Sequence, residues 1–288
     1  MFVPGAKQGM IDRSLALRDL DVAMYDIEDG LAPREKPLAR TLIRELLGRP
    51  HAPPGPARFV RINAVGSGAD GIGADLELVL PGLQGVVVPK VDTAEQLAFV
   101  AAELDRREKA SGLAPGSVRI IATIESASGL LNAPGIARAS PRLLGLLFGA
   151  EDYALDLRLP SLREGEAREL IFARSWLANA AASGRVEAFD GIWPDIGDLE
   201  GARRDALQGR RLGMTGKALI HPSQIAIVNE IFTPSAAELD HARRVVDAFD
   251  EAQGRGDGAV ALGGQLVDLP IDERARRTLE AHPREGPG

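Results

Sequence analysis

Cysteine is absent from this chain of 288 residues. That excludes disulfides, thiolate zinc sites, iron–sulfur clusters and a cysteine nucleophile. Positive charge is also in deficit. Lys and Arg number 34 against 41 Asp and Glu, for a net charge of −7, so the basic surface needed to coat nucleic acid or an anionic membrane is lacking. No apolar run approaches the ~20 residues of a membrane span. The opening MFVPGAKQGM lacks the charged and apolar regions of a secretory signal. The expectation is a cytoplasmic, soluble protein with no membrane and no nucleic-acid partner. No Gly-x-Gly-x-x-Gly turn follows an early strand, so the dinucleotide-binding form of an open sheet gains no support.

What is present suits a folded enzyme-sized domain. Hydrophobic residues make up 45% of the chain, enough for a sizeable core. Short apolar runs predict strands at 2–4, 22–27, 58–62, 84–89, 118–124, 143–148, 187–192 and 217–220. Continuous runs of this length suit strands buried on both faces, as in a parallel sheet. Helical patterning fills about 9–19, 34–48, 70–79, 93–110, 127–139, 163–183 and 199–212. The alternation predicts an α/β fold, a (β/α)8 TIM barrel over residues 1–232. A doubly wound open sheet is the alternative. Residues 222–253 read as further helix, interrupted near Thr233-Pro234. Residues 233–288 read as a C-terminal helical extension and lid, with a glycine-rich hinge at 254–264, a helix at 271–281 and a disordered end at HPREGPG.

In a barrel the chemistry sits where strands end, and here strand after strand ends in a polar residue. Strand two runs into Asp26, Glu28 and Asp29, strand three into Arg61 and Asn63, and strand four into Lys90. Strand five ends at Glu125, and strand six is followed by Glu151 and Asp152. Strand seven leads to Trp193, Pro194 and Asp195, and strand eight to His221. Glu125 and Asp152 come from neighbouring strands. Two such carboxylates either hold a cation, with Mg2+ the ion that an all-oxygen pair suits, or cap the following helices. Arg61 either holds a substrate carboxylate or oxyanion, or pairs with the acids of strand two. Lys90 is the only one of five lysines at this rim. It is a Schiff-base candidate or, by preference, an ion-pair partner. Lys217 opens strand eight and is expected at the opposite rim. His221 reads as structural or supporting rather than as a base.

At these residues the chain resembles the HpcH/HpaI aldolase and citrate lyase family, in the branch of citrate lyase beta-subunit-like proteins and malyl-CoA lyases. The matching segments are FVPG (2–5), YDIEDGLAPREK (25–36), VRIN (60–63), VVVPKV (86–91), ATIESASGLLNAPGIA (122–137), FGAEDYALD (148–156) and the long run 190–235. The resemblance implies Mg2+ and cleavage or formation of a C–C bond in a 3-hydroxyacyl-CoA, giving an acyl-CoA and a 2-oxoacid. It implies that Glu125 and Asp152 are the metal ligands and also touch substrate. It places Arg61 on the substrate oxygens and makes Asp268 a general acid/base delivered from a neighbouring subunit of a homotrimer or dimer of trimers. Arg61, Asp268 and Asp29 are the candidate catalytic residues, and Lys90 is a candidate substrate contact. Where relatives carry Asp-Arg-Pro after FVPG, this chain has Ala6-Lys7-Gln8, so Lys7 and Arg13 are the candidates for the CoA side. The alternatives are a citrate lyase subunit using an acyl-carrier-protein thioester within a larger complex, a metal-independent aldolase using Lys90, and a thioesterase or synthase outcome on the same thioester.

Overall fold

The apolar runs form eight strands: β1 (Phe2–Pro4), β2 (Val22–Asp26), β3 (Ala57–Arg61), β4 (Gly85–Val88), β5 (Arg119–Ile124), β6 (Leu143–Phe148), β7 (Glu187–Asp190) and β8 (Gly216–Lys217). A computed structural model describes residues 1–50, 55–160 and 167–280. The strands pair in parallel and in chain order, β1 to β8. The Phe2 amide donates to the Leu219 carbonyl at 2.8 Å, just past β8, and closes the ring. The TIM-barrel expectation holds, and the open sheet does not.

Inside the barrel, Met24, Phe59, Val87, Ile121, Leu147 and Ala218 form an apolar plug, flanked by Phe2, Leu144, Phe189 and Ile192. Glycines make room for its two large rings. A Cβ on Gly85 would lie 2.1 Å from Phe59, and one on Gly145 would lie 2.6 Å from Phe189. The barrel is therefore a packed core, and binding is left to its mouth.

The helices up to residue 232 are α1 (Gln8–Ser14), α2 (Lys36–Leu47), α3 (Ala94–Ser111), α4 (Ala127–Ile136), α5 (Ala150–Asp156), α6 (Ile171–Gly184), α7 (Leu199–Arg211) and α8 (Ile225–Phe232). Three start at side-chain caps just past a strand end: Thr93 for α3, Ser126 for α4 and Asp198 for α7, each accepting an amide of the first turn. Pro33 opens a short 3-10 turn before α2. The helix expected at 70–79 is broken into a π turn (Ala69–Gly73) and a 3-10 turn (Leu76–Leu78). Gly68 has φ 79° and Gly71 leaves the helical region, so the glycines outweigh the apolar spacing. The expected helix at 163–183 is seen from 168, as a 3-10 turn running into α6; residues 163–166 lie outside the described residues.

One buried ion pair braces the strand starts. Arg142 donates to both oxygens of Glu108 at 2.7 and 2.6 Å, and the amides of Gly116 and Val118 add 2.9 and 2.8 Å bonds. Burial works against the Glu108 charge, but Arg142 and the amides win and lower its pKa from 4.5 to about 2. The folded pKa is depressed, so this stabilisation is fully present above pH 4.5 and is lost as the pH falls toward 2. Glu108→Gln should cost about 3 kcal/mol at neutral pH, because it leaves the buried Arg142 only the exposed Asp105 as a charged partner, and should flatten the stability profile in that acid window. Urea melts of both proteins between pH 2 and 7 check this.

The chain divides into two compact units, Met1–Asn229 and Glu230–Gly288. The second holds α9 (Ala236–Gly254), β9 (Ala259–Leu262), β10 (Gln265–Asp268) and α10 (Leu269–Glu280). Its own core joins Ala242, Val245, Phe249, Val267 and Ala275. The segment 254–264, expected as a glycine-rich, turn-like hinge, contains a strand that the sequence reading did not foresee. Residues 259–262 are a strand paired antiparallel with 265–268, turned by Gly263 and Gly264 at φ 58° and 82°, as a two-residue hairpin turn requires. The last stretch, 281–288, lies outside the described residues.

Candidate active site

Alternation along β5 turns Ile121, Thr123 and then Glu125 inward, because Ile121 belongs to the plug. Glu125 thus tops the plug at the C-terminal end of β5, buried. Its neighbour on the adjacent strand is Gly149, just past the end of β6. A Cβ there would lie 2.6 Å from Glu125 Oε2 and 2.4 Å from its Cβ, so only glycine leaves space beside this carboxylate. Asp152 follows in the first turn of α5, a helix where the sequence suggested only a strand end. Its charge acts on Glu125.

Across the mouth, β2 and β3 supply a clamped guanidinium. Arg61 Nε and Nη2 donate to the two oxygens of Asp26, both at 2.7 Å, and Nη1 lies 3.2 Å from Glu28 Oε2. The guanidinium sits 4.7 Å over the Phe2 ring. Burial opposes its charge, yet Asp26, Glu28 and Glu125 hold the pKa above the ordinary arginine value. Of the two roles the sequence allowed, the structure shows the ion pair with the acids of strand two, which leaves Arg61 with N–H groups to spare.

Lys90 ties the two sides together. Its Nζ meets Glu28 Oε1 at 2.8 Å and Asp29 Oδ2 at 2.5 Å, while its backbone amide donates to Glu125 Oε1 at 2.6 Å. It adopts φ 54°, a left-handed backbone rare for a residue with a side chain, and this aims amide and side chain at different acids. Burial would lower the Lys90 pKa, but Asp29 and Glu28 more than reverse that and raise it. A Schiff base needs the neutral amine, so the ion-pair role is the one the geometry supports. Asp29, in turn, is held below the usual carboxylate range chiefly by Lys90. It is exposed, and its visible work is to anchor that lysine.

The mouth thus gathers five carboxylates, Asp26, Glu28, Asp29, Glu125 and Asp152, around two cationic side chains. Glu125 bears the imbalance. Burial first, then Asp152 and Glu28, push its pKa up to about 8, although the Lys90 amide and Arg61 pull the other way. A bound divalent cation would neutralise this excess. No cluster of three His, Asp or Glu side chains forms a metal cage among the described residues. Two carboxylates completed by water and substrate oxygens is the arrangement that Mg2+ favours, so the residues fit that ion.

Other candidates lie elsewhere. Lys7 is exposed before α1, 3.9 Å from Glu35, and Arg13 is exposed in the last turn of α1. Among the described residues, neither is bonded to the Arg61–Glu125 cluster. Asp268 ends β10 in the second unit, where its Oδ1 accepts the Ile271 amide at 3.4 Å at the start of α10. His221 caps the turn Pro222–Gln224 through Ser223. Lys217 is not at the opposite rim. It is buried against Asp190, Asp205 and the Gly191 carbonyl, beside the end of β7. The reading from sequence missed Thr123, one inward step past Ile121, and Gly149, one inward step past Leu147.

The family model of HpcH/HpaI aldolase/citrate lyase matches residues 1–222. The chain belongs to this family. Citrate lyase subunit beta of Escherichia coli K12 is 41% identical over 280 residues, covering 97% of this chain and 91% of that protein. The (3S)-malyl-CoA thioesterase of Cereibacter sphaeroides ATCC 17029 is 34% identical over 283 residues, with 97% and 92% covered. Among solved structures, protein CitE from Mycobacterium tuberculosis, in complex with magnesium, acetoacetate and coenzyme A, superposes with a TM-score of 0.77 at 31% identity, over 97% of this chain and 95% of that one. The lyase-type enzymes of this family thus share the barrel and nearly the whole length of the present chain. No helix among the described residues is long and apolar enough to cross a membrane.

Proposed function

We propose that the chain is an Mg2+-dependent carbon–carbon lyase that splits a 3-hydroxyacyl thioester of the malyl-CoA or citramalyl-CoA type into an acyl thioester and a 2-oxoacid, or joins them. The observation that carries this is the buried Glu125, acted on by the charges of Asp152 and of the clamped Arg61, above a floor of apolar side chains. The magnesium in the M. tuberculosis CitE complex supports the choice of cation, and the coenzyme A there supports a thioester. Glu125 and Asp152 would hold the ion, which when bound supplies positive charge at the substrate hydroxyl and carboxylate oxygens.

The remaining work falls to the chain itself. Arg61 offers its free N–H groups to the same oxygen as negative charge grows there, and Asp26 fixes the plane of the fork so that no reorganisation is needed. As a base takes the proton of the substrate hydroxyl, that oxygen forms the carbonyl of the 2-oxoacid, the C–C bond breaks and its electrons pass to the thioester's α-carbon. Asp268 would return a proton to that carbon, from the neighbouring subunit as the family resemblance implies. Lys7 and Arg13 are the proposed contacts for the CoA phosphates.

The test is to incubate the protein with a set of malyl-, citramalyl- and related acyl-CoA thioesters and to measure glyoxylate, pyruvate or oxaloacetate release, with Mg2+ and with EDTA. Metal-dependent release from at least one thioester is expected; no release from any, or release indifferent to EDTA, overturns the reading. The 41% identity to a citrate lyase subunit beta favours one second reading, a subunit working on an acyl-carrier-protein thioester. It predicts cleavage of the carrier-linked substrate in preference to the CoA form. Arg61→Lys should keep the charge but lose the planar fork on Asp26. A fall of roughly tenfold or more in kcat/KM, worth about 1.4 kcal/mol, is expected in steady-state assays.

A further inference from the structure

Thr123 is 4% exposed, and its Oγ1 has no hydrogen-bond partner among the described residues. Its position is defined. It lies one inward step above Ile121 in the plug and one inward step below Glu125. Its Cγ2 would stand 3.1 Å from a Cβ on Gly149, so the methyl faces the β6 side. Its own amide and carbonyl belong to the parallel strands, the carbonyl accepting the Val91 amide at 3.2 Å. A buried hydroxyl with nothing to bond is a cost to the fold, and a valine would fill the same volume without it.

We propose that the Thr123 hydroxyl is a substrate-contacting group that hydrogen-bonds an oxygen of the 2-oxoacid half of the substrate at the floor of the barrel mouth. This rests on the lyase reading above and adds a residue to it. The physical logic is that of a site built to pair a buried polar group with its ligand. The protein itself offers the hydroxyl no partner, and a ligand oxygen placed beside Glu125 would supply one. The floor below is apolar, so among the described residues no polar side chain competes for the bond.

The experiment compares Thr123→Val and Thr123→Ser with the wild type in three measurements. These are the melting temperature of the ligand-free protein, the affinity for glyoxylate, pyruvate and oxaloacetate in the presence of Mg2+, and kcat/KM for the thioester that the wild type cleaves. Thr123→Val is expected to melt at or above the wild-type temperature, to bind its preferred 2-oxoacid at least tenfold more weakly and to lose at least tenfold in kcat/KM. Thr123→Ser should stay within about threefold on both counts. If Thr123→Val keeps wild-type affinity and kcat/KM, the hydroxyl has no ligand and the inference fails while the lyase reading stands. If the wild type cleaves no thioester, the lyase reading fails, and the 2-oxoacid affinities alone judge Thr123. If the wild type binds none of the three acids, both are overturned.

Discussion

Asp152→Asn and Glu125→Gln proteins are expected to fold normally and to lose more than ~100-fold in Mg2+-dependent turnover. Changing a residue that merely orients a metal ligand costs 10–100-fold, and here the ligand's charge itself goes. The two variants should differ in the absence of metal. Burial, then Asp152 and Glu28, push the Glu125 pKa up to about 8, so without a cation its charge is costly to the fold, a cost that neutral Gln does not carry. Glu125→Gln should therefore melt no lower than wild type in EDTA, and Mg2+ should no longer raise its melting temperature. Asp152→Asn should likewise lose the Mg2+-induced rise. Scanning calorimetry with and without the ion, paired with the 2-oxoacid assay, checks both halves. Near-normal turnover in either variant at low Mg2+ would mean that the ion is held elsewhere.

The second large effect lies behind the site rather than in it. Arg174 on α6 donates to both oxygens of Asp190 at 3.0 and 2.5 Å, and to Asp205 of α7 at 3.0 Å. Lys217 meets the same two acids at 2.9 and 2.5 Å. All four side chains are buried. Burial opposes the charge on Asp190, but Lys217 and Arg174 prevail and lower its pKa. Arg174→Met leaves Lys217 facing two acids with no water to solvate them. The expected loss is about 3–5 kcal/mol, or a melting temperature lower by on the order of 10 °C for a chain of this size. Lys217→Met should cost a similar amount. Because the pairs share partners, the double variant should cost less than the sum of the two. Additive losses would show that Asp190 and Asp205 are independently solvated.

Several of these features were legible in the sequence, and for identifiable reasons. Strand positions followed from short apolar runs because a closed parallel barrel buries both strand faces, so no polar alternation interrupts them. The site acids and Arg61 were legible because each comes directly after such a run. Asp152 was located, but not its helix: α5 has only 7 residues, too few for a periodic pattern to register. The quartet around Arg174 stayed hidden because its members are spread over 44 positions' worth of chain, from 174 to 217, and only packing brings them together. Its one trace was Gly209 inside a helix. A Cβ there would lie 2.6 Å from Asp190 Oδ2, which explains a residue that helix propensity disfavours. In the tail, glycine density suggested a loose segment, whereas Gly263-Gly264 between two four-residue strands is a hairpin signal. Thr123 was hidden in an otherwise apolar strand, where its hydroxyl looks like β-propensity rather than chemistry.

The left-handed turn at Lys90 has a consequence for how mutational scans of this protein will read. Its ammonium serves Glu28 and Asp29, but its contact with Glu125 is made by the peptide N–H, which every residue except proline also carries. An alanine scan removes the first contribution and leaves the second in place, so it will report only half of what position 90 does. Glycine would separate the two further, abolishing the charge while relaxing the backbone that presents the amide. Only a change that deletes the amide itself, such as an ester in place of this one peptide bond, would reveal how much of Glu125's orientation is written in the main chain.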